Sequence, residues 1–155
     1  MKVIYNCYGS AHSSVLAAAI HVGMLPEDRV PKVEEISNLP HYDKTVTAEI
    51  GNIYYFGTDE AGIEVYILGM KGSTKIVKRA IYSMLGELEI SKNELIFVET
   101  LPYVNNLTRI GGFLSRRLGL VTLGRPLTIW GLQKVYHQFV ELVKDVKGRL
   151  FKLAF

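Results

Sequence analysis

The sequence predicts an α/β protein: a mostly parallel sheet of about five strands, with helices on both faces and one inserted β-hairpin. Two observations predict this class. Short apolar runs typical of buried strands alternate with longer segments whose apolar residues recur at helical spacing. One pair of strand-like runs is separated only by a turn, as in a hairpin. Because alternating strands and helices favour a parallel sheet covered on both faces, we expect a P-loop-like three-layer sandwich.

The first part of the chain predicts a strand followed by helical segments. The apolar residues of Val3–Tyr8 indicate the first strand. The helix that follows, over about Ser13–Val22, ends at a glycine and a proline. Val33–Ile36 forms one helical turn between two prolines. The polar segment Tyr42–Glu49 is expected to be a surface connection.

The hairpin is predicted where the runs Ile53–Phe56 and Ile63–Leu68 flank the turn residues 58–62. The segment Phe56–Glu60 also resembles the hydrophobic-then-Asp-Glu pattern of a magnesium-binding Walker B strand. A glycine and a second strand follow it at once, which is typical of a turn. We therefore interpret this segment as the hairpin turn.

The second half predicts two more strands between three helices. The apolar residues of Ile76–Leu88 recur at helical spacing, and Leu95–Val98 is a buried strand. Leu107–Leu118 is expected to be helical, and Leu127–Trp130 to be the last strand. A final helix carries an apolar stripe over Leu132–Val146.

Composition indicates one globular domain over residues 1–155, with 48% hydrophobic and 21% charged residues. The net charge of +3 is too small to indicate nucleic acid, which we do not expect as a partner. Cys7 is the one cysteine, so no internal disulfide can form and a reducing compartment is favoured. Polar residues interrupt the apolar stretch after Lys2, so we expect no signal peptide, no membrane span and a cytoplasmic protein. The alternating tail Arg149–Phe155 is expected to pack on its own domain.

The loop Gly9-Ser10-Ala11-His12-Ser13-Ser14 joins the first strand to the first helix and predicts an anion-binding site. A helix N-terminus offers unpaired N–H groups and the positive end of the helix dipole. Gly9 lets the backbone approach closely, and Ser13 and Ser14 can cap the helix or donate to phosphate oxygens. The loop is no Walker A motif, because His12 stands where the lysine is required. The alternative is structural, with Ser13 as the helix cap and Gly9 as a turn residue.

A second strand-to-helix loop, Gly69–Lys75, contains Gly72 and two lysines. Lys71 adds charge, and Ser73 can cap the next helix. If the two strands are parallel neighbours, this loop and the loop at Gly9 open on the same edge of the sheet.

The segment Arg109–Arg117 carries three arginines and is followed by Arg125. Arg109 and Arg116 share a helix face, and arginine suits bidentate recognition of phosphate or carboxylate. The pair Gly111-Gly112 implies close approach by backbone or ligand. The alternative is that these arginines are solvated charges in surface ion pairs.

Cys7 ends a strand before a helix N-terminus, where a thiolate is stabilised. Phosphatases that use such a cysteine need an arginine at the end of the loop, and Ser13 stands there instead. We therefore favour a buried structural cysteine, with a phosphatase-like enzyme as a lesser alternative. No metal site is expected, because the four histidines lack metal-ligand spacing: His12, His21, His41 and His137.

The chain resembles the family catalogued as domain of unknown function 3189, found in spore-forming Firmicutes. The resemblance rests on residues 4–14, on the segment Gly57-Thr58-Asp59-Glu60-Ala61-Gly62, and on residues 110–119 with Gly124-Arg125-Pro126. It covers nearly the whole chain. The family has no established activity, and its distribution implies a role connected with sporulation.

The leading hypothesis is a binding protein or P-loop-like enzyme for a phosphorylated small molecule or nucleotide. The predicted ligand-binding residues are Gly9, Ser10, His12, Ser13, Ser14, Lys71, Ser73 and Arg116. If a reaction occurs, His12 is the expected general acid or base. Enzymatic activity and any cofactor stay open at this point. The alternative is a non-enzymatic assembly or regulatory protein that acts through the arginine segment and the C-terminal helix, with a homo-oligomer as one possible form.

Overall fold

The computed structural model describes residues 1–154 and contains one four-stranded sheet. The strands are β1 (Lys2–Cys7), β2 (Ile53–Thr58), β3 (Glu64–Gly69) and β4 (Leu95–Glu99). The helices are α1 (Ser13–His21), α2 (Val33–Ser37), α3 (Thr74–Glu87), α4 (Asn106–Arg117), α5 (Val121–Lys134) and α6 (Tyr136–Ala154). Phe155 lies outside the described residues. The mixed α/β class is confirmed.

The strand order is β2-β3-β1-β4, with β1 parallel to both of its neighbours and β2 antiparallel to β3. The predicted hairpin is therefore confirmed as β2–β3. At its turn, the Asp59 carboxylate accepts hydrogen bonds from the backbone N–H groups of Ala61 and Ile63, at 2.9 and 2.8 Å. The Asp-Glu pair thus belongs to a turn, as predicted. Because β1 and β3 are parallel neighbours, the loops that follow them open on one edge of the sheet.

Side-chain alternation along β1 directs its residues to two cores. Val3 and Tyr5 pack in the main core, which also contains buried residues of α1 and α6. Ile4 packs on the opposite face in a smaller cluster with Leu68. Three partly buried residues of α3 cover that cluster: Val77, Ile81 and Leu85. Helices therefore lie on both faces, as predicted. No residue of α3 is fully buried.

The predicted last strand, Leu127–Trp130, is wrong: these residues lie within α5, so the sheet has four strands instead of five. The run was misread because its β-branched and aromatic residues are typical of strands. The buried residues have helical spacing instead, since Ile129 within the run and Leu132 after it, three residues apart, both pack in the main core. Tertiary packing thus overrides the local strand preference.

Helices α4 and α5 pack backbone against backbone through glycines. A Cβ atom at Gly111 would lie 2.7 Å from the carbonyl oxygen of Gly124, and one at Gly124 would lie 2.5 Å from the carbonyl oxygen of Gly111. The close approach expected at the glycine pair is therefore an approach by backbone at Gly111. A Cβ at Gly112 would instead contact the His12 ring at 3.5 Å.

A buried hydrogen-bonded chain ties the hairpin turn to α1 and β1. The Tyr5 hydroxyl lies 2.7 Å from His21 Nδ1, and His21 Nε2 lies 3.1 Å from Asp59 Oδ2. Burial lowers the pKa of His21, although the charge of Asp59 acts in the opposite direction. A neutral His21 that donates from Nε2 and accepts at Nδ1 satisfies both partners.

The C-terminal helix α6 runs through most of the tail, and Leu150 on it is buried. Phe151 and Leu153 are instead 66% and 57% exposed, so the packing predicted for the tail is seen at Leu150 and not at these two residues. Across residues 1–154 we find no helix with both the length and the apolar character needed to cross a membrane.

We predict that Gly124→Ala lowers the free energy of unfolding by about 1–3 kcal/mol, because the new methyl group overlaps backbone atoms of α4. Urea denaturation followed by circular dichroism measures the change. Gly148→Ala on α6 is the matched control, since nothing lies within 4 Å of its Cβ position. The control should gain up to about 1 kcal/mol from helix propensity. Equal effects of the two substitutions would contradict the packing.

Candidate functional site

A cavity of about 580 Å³ opens beyond the carboxyl end of β1, and we call it the edge cavity. Its lining residues come from four segments of the chain. They are Cys7, Tyr8, Gly9, Ala11, His12, Ser13, Thr45, Val46, Thr47, Ile50, Lys71, Leu101, Val104, Thr108, Arg109, Gly112, Phe113, Arg116 and Arg117. This is the position at which parallel α/β sheets bind ligands.

The loops after β1 and β3 meet at this edge through backbone hydrogen bonds. The Met70 N–H donates to the carbonyl oxygen of Cys7 at 3.0 Å, and the Lys71 N–H donates to that of Tyr8 at 2.9 Å. Lys71 adopts a left-handed backbone conformation, with φ of 49°. The structure thus brings Lys71 beside the first loop, whereas Ser73 is exposed at the start of α3 and does not line the edge cavity.

The first turn of α1 borders the edge cavity, and no side chain caps it. The structural alternative of Ser13 as helix cap is therefore wrong, because His12 occupies the cap position. Ser13 Oγ lies 2.9 Å from Thr100 Oγ1, and Thr100 donates its own proton to the carbonyl oxygen of Asn6. Ser13 must then donate to Thr100, so its hydroxyl proton is already in use.

Ser10 and Ser14 are buried and do not line the edge cavity. Ser14 Oγ lies 3.1 Å from Cys7 Sγ, which also accepts a hydrogen bond from the Ser10 backbone at 3.2 Å. Cys7 is buried, as predicted. Within residues 1–154, Asn6 and Ser10 hold the buried side-chain polar atoms that have no hydrogen-bond partner. Each such group costs about 1–3 kcal/mol, and this cost is concentrated where β1 meets its loop.

The prediction of a surface connection over Tyr42–Glu49 is wrong for the first part of this segment, because Tyr42, Asp43 and Thr45 are buried. The Asp43 N–H donates to the carbonyl oxygen of Ala11, and the Thr45 hydroxyl donates to that of Ser10. Polar residues are buried here because the first loop supplies their hydrogen-bond partners.

Asp43 is the centre of the site, although sequence reasoning missed it. Its Oδ1 accepts from Ser115 Oγ at 2.6 Å and lies 3.2 Å from His12 Nε2. Its Oδ2 accepts from Arg125 Nε at 3.2 Å, and its backbone carbonyl accepts from Arg116 Nη1 at 3.0 Å. One side chain thereby joins the first loop to α4 and α5.

The Asp43 side chain is fully buried and charged. Burial acts to raise its pKa, but the hydrogen bonds and charges of His12, Ser115 and Arg125 outweigh burial and lower the pKa to about 2. Its φ of 52° lies in the left-handed region, which aspartate tolerates better than most residues.

His12 is held in one orientation by Asp43 and by an edge contact with Tyr42, whose ring centre lies 5.4 Å away. Because the ionised carboxylate can only accept, the proton of neutral His12 resides on Nε2. Nδ1 therefore carries the lone pair, and it lies on the side of the ring next to Gly112, which lines the edge cavity. Lack of a side chain at Gly112 leaves room beside that nitrogen.

The edge cavity is basic. Four permanently charged cations line it: Lys71, Arg109, Arg116 and Arg117. No Asp or Glu lines it in the part of the chain that the structure describes. The arginine segment is therefore one wall of the cavity, with Arg116 also bound to Asp43. The described residues contain no group of three or more His, Cys, Asp or Glu side chains arranged to hold a metal ion.

Sequence reasoning also missed Tyr8 as a lining residue, whereas Phe113 and Arg117 lie within the predicted arginine segment. Tyr8 follows Cys7 directly, so its position at the strand end was the available signal. Asp43 gave no comparable signal, because its partners His12, Ser115 and Arg125 are 31, 72 and 82 residues away along the chain.

The fold is thus a mixed α/β sheet with a basic cavity at the carboxyl edge of its parallel strands. The family model described as "Protein of unknown function (DUF3189)" matches residues 2–148. The chain therefore belongs to this family, which confirms the predicted resemblance, and the match includes every residue that lines the edge cavity. The comparisons with curated proteins and with solved structures gave no match.

We predict that Asp43→Asn lowers the free energy of unfolding and makes it less sensitive to acid. Folding favours the ionised form of Asp43, so its stabilisation is complete above about pH 4 and is lost as the pH falls toward 2. Over this pH range the free energy of unfolding should fall by about 1–2 kcal/mol more in the wild type than in the variant. This figure allows for solvent screening at Arg125. Urea denaturation at several pH values measures the difference. Asp145→Asn, an exposed aspartate on α6, should follow the wild type; a wild-type pH profile in Asp43→Asn would contradict the assignment.

Proposed function

We propose that this protein binds a phosphate-bearing small molecule in the edge cavity. The observation that carries the proposal is a cavity with four cationic side chains and no carboxylate along its described lining, at the uncapped N-terminus of α1. Helix N-termini and arginine side chains are two of the groups that proteins use to hold phosphate. A cavity lined by one sign of charge also concentrates oppositely charged ligands.

The proposed cradle consists of Gly9, His12 and the backbone N–H groups of the first turn of α1. The hydroxyls of Ser13 and Ser14 contribute less than their sequence position suggests, since both already have partners within the protein. The P-loop-like character of the site is therefore confined to backbone donors at a strand-to-helix loop. Its cations come from elsewhere in the chain.

Lys71 and Arg116 are the proposed flanking contacts, and Arg109 joins them from α4. Arg116 is held in place by the Asp43 carbonyl, so less conformational entropy is lost when it also contacts an anion. The Asp43 carboxylate neutralises part of the positive charge near the cavity. The excess of cations over that single carboxylate remains available to the ligand.

His12 is the proposed general base, acting through Nδ1. Its Nε2–H is committed to Asp43, which fixes the ring and favours the tautomer with a free lone pair next to the cavity. Aspartate-oriented histidines of this kind accept protons from bound substrates or water. If the protein catalyses a reaction, Asp43 serves as the positioning residue for His12.

Isothermal titration calorimetry with inorganic phosphate and ribose 5-phosphate tests binding. Lys71→Gln and Arg109→Gln each remove one cation, and we expect each to weaken binding by about tenfold. Arg79→Gln is the control, because Arg79 is exposed on α3 and does not line the edge cavity. Absence of binding to both compounds at millimolar concentration would overturn the proposal, as would equal effects of all three substitutions.

A second candidate function is assembly with another protein, and exposed apolar residues on α5 favour it. Leu123 and Trp130 are 60% and 53% exposed, and they lie seven residues apart on one helix face. The connection with sporulation that the resemblance implies belongs to this candidate. Arg116 is not a suitable test position, since its replacement also disrupts Asp43.

Trp130→Glu is the variant that tests assembly. Sedimentation of the full chain detects self-association, and a pull-down detects a stoichiometric partner. If α5 forms an interface, the association that is detected should be lost in Trp130→Glu and retained in His12→Ala. The reverse pattern would favour the edge cavity as the functional surface.

A further inference from the structure

We infer that the ligand is a nucleoside phosphate whose base packs against Tyr8 and Phe113. This inference rests on the proposed function and adds the class of ligand to it. It follows from the size of the edge cavity, from the position of two aromatic side chains within it, and from the polar groups that its lining lacks.

The edge cavity is larger than a phosphate ion requires. Its volume of about 580 Å³ lies within the range of about 300–1,000 Å³ that is typical of pockets for drug-sized organic ligands. The cations line only part of that space. An organic body attached to the phosphate would fill the remainder.

Two aromatic rings line the edge cavity and remain largely open to solvent. Tyr8 is 54% exposed and Phe113 is 50% exposed, and they come from different segments, the first loop and α4. Large apolar side chains from separate segments that converge on one cavity offer surface for a ligand to bury. Aromatic faces in particular accept the planar rings of nucleobases by stacking.

The aromatic side chains are close to the proposed phosphate contacts. Tyr8 precedes Gly9 at the start of the cradle. Phe113 follows Arg109 by four residues and precedes Arg116 by three, so all three share one face of α4. A single ligand can therefore place its phosphate at the cations and its ring at the aromatic side chains.

The described lining contains no Asn, Gln, Asp or Glu side chain. These are the side chains that read the hydrogen-bonding edges of adenine and cytosine. Stacking alone is tolerant of base identity, because every base has a π-face. The cavity is therefore not expected to select adenine or cytosine through side chains of these types.

Calorimetry on the full chain with AMP, GMP, ribose 5-phosphate and adenosine tests the inference. We expect AMP and GMP to bind about tenfold more tightly than ribose 5-phosphate, which lacks the base. If AMP binds no more tightly than ribose 5-phosphate, the inference is overturned and the proposed function stands. If adenosine binds as tightly as AMP, or if none of the three phosphate compounds binds, the proposed function itself fails.

Two substitutions locate the ring. Tyr8→Leu and Phe113→Leu keep an apolar side chain and remove the aromatic face, so each should weaken AMP binding by several-fold to about tenfold and leave ribose 5-phosphate unchanged. Tyr55→Leu is the control, since Tyr55 is equally exposed but does not line the edge cavity. Thermal unfolding of each variant establishes that it is folded. Unchanged AMP binding in both cavity variants would overturn the inference.

Discussion

The buried carboxylate of Asp43 is the contact on which the arrangement of the edge cavity depends. A charged group inside a protein is tolerated only when hydrogen bonds replace its lost hydration. Here the replacements come from His12 on the first loop, Ser115 on α4 and Arg125 on α5. The same contacts that stabilise the charge therefore fix two walls of the edge cavity, the first loop and α4, against α5. Removing this charge would leave Arg116 and Arg125 without the carboxylate beside them, and the His12 ring would no longer be held in one orientation.

The site differs from a typical nucleotide-binding loop in where its charge comes from. In a P-loop the lysine belongs to the glycine-rich loop itself. Here the first loop supplies a backbone turn and His12, while Lys71 comes from the loop after β3 and Arg116 from α4. The binding surface therefore exists only when distant segments have folded together. Three non-glycine residues around it, Ser10, Asp43 and Lys71, hold positive φ angles, which is strained backbone of the kind that concentrates at functional sites.

Local pattern was sufficient to predict much of the fold and part of the site. The strand β1, its loop, the hairpin and α3 were predictable because apolar periodicity and turn residues act over a few positions. The strand predicted at Leu127–Trp130 failed because its composition favours a strand, whereas its contacts with α4 and the main core require a helix. Asp43 was unpredictable because a buried ion pair depends on partners far away along the chain, and in sequence it resembles any polar loop residue.

Helix α3 gives the protein an uneven distribution of local stability. Ile76 and Met84 on this helix are exposed, as is Leu88 directly after it, and no residue of the helix is fully buried. Resistance to local opening scales with buried contacts, so the backbone amides of α3 should exchange with solvent deuterium well before those of β1 or α1. The loop that carries Lys71 leads directly into this helix. Lys71, which lines the edge cavity, is thus joined to a helix with few buried contacts, whereas His12 on the first loop is tied to the buried Asp43.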